Sequence, residues 1–197
     1  MAFFTEAQLR ALAQTDVRKS QGYTTASVLL EKMDAAAGKT GFDIFLSHSI
    51  KDADIVLGMV RYLEKHKYTV YVDWLVDTQL DRSKVNTGTA QQLRDRMIAC
   101  KSLFFLTSPN AMSSLWMPWE CGYFDGLKHK VAIVPVFKEA VAGDSYKGQE
   151  YLGLYPYTVF GNDTSQRERI WVRPDGSHYL VYEAWVSQPE PVQWSQG

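Results

Sequence analysis

The chain has 197 residues, enough for one domain with extensions and for a core that needs no covalent staples. Hydrophobic residues make up 46% and charged residues 22%, and the formal net charge of -1 excludes nucleic-acid or anionic-membrane binding driven by bulk charge. No run of about 18 apolar residues or basic leader occurs, and Cys100 and Cys121 are too few for a disulfide framework, so two free thiols in a reducing cytoplasm are expected.

Residues 1–40 read as a helical extension. Thr5 and Gln8 make a capping box, Phe4 and Leu9 occupy staple positions, and Leu9, Leu12 and Ala13 continue one face. A second helix is expected over 25–37, closed by Gly38. From Phe42 the pattern changes to strands alternating with helices. Phe42-Asp43-Ile44-Phe45-Leu46 is a short apolar run suited to a strand covered on both faces. Ser49, with Asp52 three residues on, is expected to cap a helix carrying Ile55, Val56, Met59, Val60 and Leu63 on one side. A strand over 69–72 leads into a polar loop over 73–87, long enough for a binding loop. A helix over 89–100 turns Leu93 and Met97 inward and is followed by a strand over 103–106, a helix to about Leu127 and a strand over 131–137. This order implies an α/β fold with a doubly wound parallel sheet. Residues 157–160 suggest a fifth strand, and Pro174-Asp175-Gly176-Ser177 a hairpin turn between 170–173 and 178–182. The tail after Ser187 is expected to fray. The division expected is an N-terminal extension over 1–40, a central domain over 41–160, and a C-terminal hairpin and tail over 161–197 packed on that domain.

Parallel sheets bind ligands outside the carboxyl ends of their strands, near the point where strand order reverses. That rule brings together Ser47-His48-Ser49, the 73–87 loop, and the segment from Ser108 to Glu120. Ser47-His48-Ser49 leads into a helix N-terminus, which favours an anion such as a phosphate, or Ser49 is only a cap and His48 a turn residue. Pro118 belongs in a first helical turn, so Glu120 lies one turn past Trp116 on the same face. Either Glu120 is a helix-start acid favoured by the dipole, with Trp116 and Trp119 as core, or it is a carboxylate placed for chemistry. Asp73 and Asp77 could add a second carboxylate, though loop acids are usually solvated. His48, His66, His129 and His178 have no partners at metal-ligand spacing, so no metal is expected. No glycine-rich nucleotide loop and no Gly-x-Ser-x-Gly elbow is present.

The segment from Phe42 to Ser49, with Asp52, resembles the opening box of Toll/interleukin-1 receptor (TIR) domains. The loop after Val70-Tyr71-Val72-Asp73 looks like their long loop after the second strand, and Ser114, Trp116 and Glu120 are similar to the Trp-x-x-x-Glu signature of enzymatic members. The resemblance covers about residues 41–137 and departs from many members by Pro118 and Trp119 inside that signature. It implies a flavodoxin-like fold and cleavage of the nicotinamide–ribose bond of NAD, as substrate rather than cofactor. Glu120 would be catalytic, with Ser47, His48, Ser49, Trp74, Ser114 and Trp116 binding substrate. The product implied is nicotinamide plus an ADP-ribose-derived, cyclic signalling nucleotide, with Trp116 the candidate for product control. Such a stand-alone enzyme resembles the signal-making component of Thoeris-like anti-phage defence, where a second protein senses the product. Self-association through TIR–TIR contacts is implied, with residues 84–89 as contacts, and neither nucleic acid nor membrane as partner. The alternatives are a non-catalytic TIR interaction module and an enzyme like the nucleoside deoxyribosyltransferases.

Overall fold

A computed structural model describes residues 1–16, 18, 21–36, 38–73, 87–148 and 150–196. Strands are β1 (Phe4–Thr5), β2 (Phe42–Ser47), β3 (Val70–Tyr71), β4 (Cys100–Thr107), β5 (Val131–Phe137), β6 (Tyr157–Asn162), β7 (Glu168–Arg173), β8 (His178–Val181) and β9 (Ser195–Gln196). Helices are α1 (Glu6–Gln14), α2 (Thr25–Ala36), α3 (Ala53–Lys65), α4 (Thr87–Ile98), α5 (Trp116–Lys128) and α6 (Tyr182–Ser187).

The central sheet runs β3-β2-β4-β5-β6 with every neighbouring pair parallel, the flavodoxin-like doubly wound order. Side chains alternate between its faces, as the two-residue strand period requires. Ile44 and Leu46, Phe104 and Leu106, and Ala132 and Val134 pack with α1, α2, α3 and α6. Phe45, Leu103 and Phe105, and Val131 and Ile133 pack with α4 and α5. Both faces are therefore dry, which explains why these strands read as unbroken apolar runs. Past β6 the sheet continues antiparallel through β7, β8 and β9, and β7 and β8 form the hairpin expected around Pro174 to Ser177.

Three local expectations change. The extreme N-terminus is a strand wedge rather than only a helix lead-in. Phe4 pairs with Val136 of β5 and Ala2 with Phe160 of β6, filling the place where those strands diverge after a single register pair. Phe3 then enters one core and Phe4 packs on the other, with Tyr62 and Phe160. The Thr5–Gln8 capping box is present behind it. Secondly, Ser49 caps no helix with its side chain. It precedes a 3-10 turn (Ile50–Asp52), and α3 starts only at Ala53. Thirdly, the tail is packed: Glu190 ion-pairs with the buried Lys130 ammonium, Val192 and Trp194 lie against the core, and β9 pairs with β8. Among the described residues no helix is long and apolar enough to cross a membrane.

Candidate active site

From β2 the chain crosses to β3 on one side and then returns to β4 on the other, so the switch point lies between the carboxyl ends of β2 and β4. Ser47 is the last residue of β2, paired with Phe105 of β4, and its side chain therefore stands at that crossing. Glu120 comes from the second turn of α5. This helix begins at Trp116, with the Met117 N–H donating to Ser114 Oγ at 3.4 Å and Pro118 in the first turn, where its missing N–H costs nothing.

The Ser47 hydroxyl donates to Glu120 Oε2 at 2.6 Å. Glu120 is only 6% exposed, so the carboxylate is held away from bulk water by a charge-assisted hydrogen bond. Around it, His48, Asp73, Ser114 and Trp116 line a narrow cleft over Phe45 and Leu46, with about 20 Å³ of room. That space accepts one water-sized group. His48 Nδ1 donates to the Leu46 carbonyl at 2.8 Å, which orients the ring. Trp116 is half-buried at the mouth and meets Trp119 edge-on at 5.4 Å; Trp119 stacks on Tyr123, with the Arg94 guanidinium over both rings.

Five of the expected residues thus converge: Ser47, His48, Ser114, Trp116 and Glu120. Ser49 is buried at the start of the 3-10 turn, where its carbonyl accepts from the Asp52 N–H at 3.1 Å, and it does not line the cleft. Trp74, and most of the 73–87 loop, lie outside the described residues.

Two acids differ from their expected roles. Asp73 is buried on the cleft wall rather than solvated. Asp52 is buried at the α3 N-terminus, where its side chain makes no capping hydrogen bond to the helix and reaches instead toward the segment after β4. Its oxygens accept from the Asn110 backbone N–H at 3.1 Å and Asn110 Nδ2 at 2.7 Å. This tie fixes the turn after β2 against the segment after β4. A buried acid must find partners, which is the one sequence signal for it; the partner, 58 positions away, gives none.

Neither thiol is poised for nucleophilic chemistry, because burial pushes Cys100 up to about 12 and Cys121 up to about 11. Among the described residues no three His, Cys, Asp or Glu side chains are grouped to hold a metal ion. The arrangement offers two buried acids, Asp73 on the cleft wall and Glu120 oriented by Ser47, beside an aromatic mouth, suited to stabilising positive charge on a bound substrate.

Comparison with known proteins agrees with this geometry. A family model described as "TIR domain" matches residues 44–170. The chain is 48% identical over 193 residues to a Bacillus cereus (strain MSX-D12) protein named "Probable 3' cyclic ADP-D-ribose synthase ThsB'", covering 95% of this chain and 100% of that protein. It is 28% identical over 107 residues to a Cytobacillus dafuensis protein named "Putative cyclic ADP-D-ribose synthase TIR2", covering 53% of this chain and 28% of that one. A doubly wound sheet, a switch-point carboxylate and matches of this extent have one meaning: the chain belongs to the TIR domain family.

Proposed function

We infer that this chain is a TIR-domain NAD glycohydrolase and cyclase, which cleaves the nicotinamide–ribose bond of NAD and releases nicotinamide and a cyclic ADP-ribose. The buried Ser47–Glu120 pair at the switch point carries the reading. Full-length likeness to a relative named for 3' cyclic ADP-D-ribose synthesis supports cyclisation, and the 3′ isomer, over simple hydrolysis.

The chemistry needs few groups. Nicotinamide in NAD is a cationic pyridinium, so breaking its bond to the ribose C1 returns the electron pair to the ring nitrogen, and a neutral molecule leaves without a general acid. Positive charge then develops on the ribose. Glu120, fixed by Ser47 and shielded by Phe45 and Leu46, stabilises that charge where the local dielectric is low. The Trp116 ring stacks on a flat base at the mouth. For a 3′ product, the hydroxyl at that position of the adenosine ribose attacks the cationic carbon and, as the new bond forms, passes its proton to the Glu120 carboxylate, which returns it to water. Water in its place would give linear ADP-ribose, so cyclisation requires the adenosine hydroxyl rather than a water to occupy the small space beside Glu120. No cofactor is required. The same reading places the enzyme in cytoplasmic antiviral defence, self-associating through TIR–TIR contacts, with a downstream effector that senses the product.

The test is nicotinamide release and nucleotide product from purified protein and NAD, beside Glu120→Gln. Wild type should yield nicotinamide and the cyclic product in equal amounts, and Glu120→Gln should slow release by about 10³-fold or more. Undiminished release by Glu120→Gln would remove the assigned role, and a wild type inert toward NAD would remove the reaction.

A further inference from the structure

A second hollow opens on the same edge of the sheet, past the carboxyl ends of β4 and β5, with about 510 Å³ of room. The cleft at Glu120 has about 20 Å³. The 3-10 turn Ala111–Ser113 separates them: Ala111 and Met112 face the hollow, and Ser114 faces the cleft. Among the described residues, more room therefore lies on the far side of one short turn than in the cleft itself.

The hollow is built. Phe3, from the N-terminal wedge, packs on Phe137 and Tyr146 in its wall, at ring-centre distances of 5.2 and 6.4 Å. Its outer side is the irregular segment 141–147, and the buried Arg173 guanidinium ion-pairs with Asp144 to pin that segment against the β7–β8 hairpin. Ser108, also on the wall, is 5% exposed, and its Oγ has no hydrogen-bond partner among the described residues. Leaving a buried hydroxyl unpaired costs about 1–3 kcal/mol, and native folds rarely tolerate it without a reason. A bound ligand supplies one.

The lining indicates which ligand. Phe137 and Tyr146 offer flat faces and Met112 a polarizable thioether, together a surface for a base. Ser108 and Ser145 bring hydroxyls for a sugar, and the exposed Lys147 brings a cation for a phosphate. The volume falls within the range of small-ligand sites. We propose that this hollow binds an adenosine phosphate moiety. The choice of adenosine rests on the NAD reading above, because a cyclic product requires the adenosine half to be held folded, close to Glu120. The moiety is either that half of the substrate or a separate adenine nucleotide.

The experiment is calorimetric titration of the full chain with adenosine monophosphate, for wild type, Ala142→Trp and Ser108→Ala. Ala142 is exposed on the segment that walls the hollow, so a tryptophan there fills the space without entering a core. Saturable binding is expected for wild type, weakened about tenfold or more by each substitution, with thermal melting confirming that both variants stay folded. No binding to wild type, or equal binding to all three, would overturn the proposal. Two arms then identify the source. Competition with NAD, without effect on nicotinamide release from nicotinamide mononucleotide, identifies the adenosine half of the substrate; binding without competition identifies a separate nucleotide. Calorimetry reads binding whether or not NAD is cleaved, so an inert wild type would sink the reaction and leave this site to be decided on its own.

Discussion

Ser47 and Glu120 are separated by 73 positions in sequence yet meet at 2.6 Å, and the chemistry proposed for the site depends on that contact. A buried carboxylate stabilises a transition state only if it is already aimed, because reorientation during the reaction would cost what the charge gains. Ser47→Ala removes the aiming bond and leaves the acid in place. Hydrogen bonds to charged groups contribute about 1.5–3 kcal/mol, so kcat for nicotinamide release should fall about 10- to 100-fold while KM for NAD stays near wild type. Steady-state kinetics checks this, and an equal rise in KM would mean that Ser47 binds substrate rather than positions Glu120. Both residues were legible in the sequence, because one ends a strand-like run and the other follows a proline that fixes a helix start. Asp73 was legible only as a residue type. It lies on the cleft wall with Phe45, Trp116 and Glu120, residues distant in sequence, and such packing leaves no local pattern.

Among elements, the sheet was readable wherever apolar runs are long, since a strand buried on both faces has no choice of composition. The N-terminal wedge was not. β1 has two residues, too few for any period, and Phe4 before a capping box reads as a helix staple. Nor did the two prolines of the tail reveal that Lys130, one residue before β5, would need Glu190. The contact of α1 with α3 was equally hidden, because it depends on what a residue lacks. At Gly58 an added Cβ would sit 1.9 Å from the Leu9 carbonyl oxygen. Gly58→Ala must therefore push α1 off α3. Overpacking of this kind costs about 1–3 kcal/mol, and only up to about 1 kcal/mol returns through alanine's better helix propensity. Denaturant unfolding should show a loss of about 1–2 kcal/mol for Gly58→Ala. Gly126→Ala is the control: it lies on α5 with nothing within 4 Å of the added carbon, and should gain up to about 1 kcal/mol. Equal effects at the two sites would mean that helix propensity, and not the close approach, sets the stability of this layer.

Across the whole molecule, the N-terminal layer is joined to the TIR core by charge as well as by packing. Asp16, buried just past α1, takes bonds from Arg18 at 3.0 Å, Arg18 reaches Glu31 of α2 at 3.1 Å, and Arg61 of α3 stands 3.9 Å from Asp16. The Arg18 guanidinium beside Asp16 lowers its carboxyl to about 2 from an ordinary 3.8, overcoming the opposing effect of burial. The folded value is the lower one. The contribution to stability is therefore nearly complete above about pH 4 and is lost as pH falls through about 2, below which Asp16 is protonated in both states. A shift of this size corresponds to about 2 kcal/mol. Other acids add to the acid response of the wild type: Lys101 and Thr69 lower Asp43 against its burial, and Asp163 and Asp175 are lowered by hydrogen bonds at the surface. Asp16→Asn isolates the contribution of Asp16. Urea unfolding at stepped pH should show the variant less stable by about 2 kcal/mol near neutrality, with the gap closing between about pH 4 and pH 2. A gap that stayed constant down to pH 2 would assign the loss to disturbed packing around Asp16 rather than to its charge, and would make the tie between the N-terminal helices and the core a matter of shape alone.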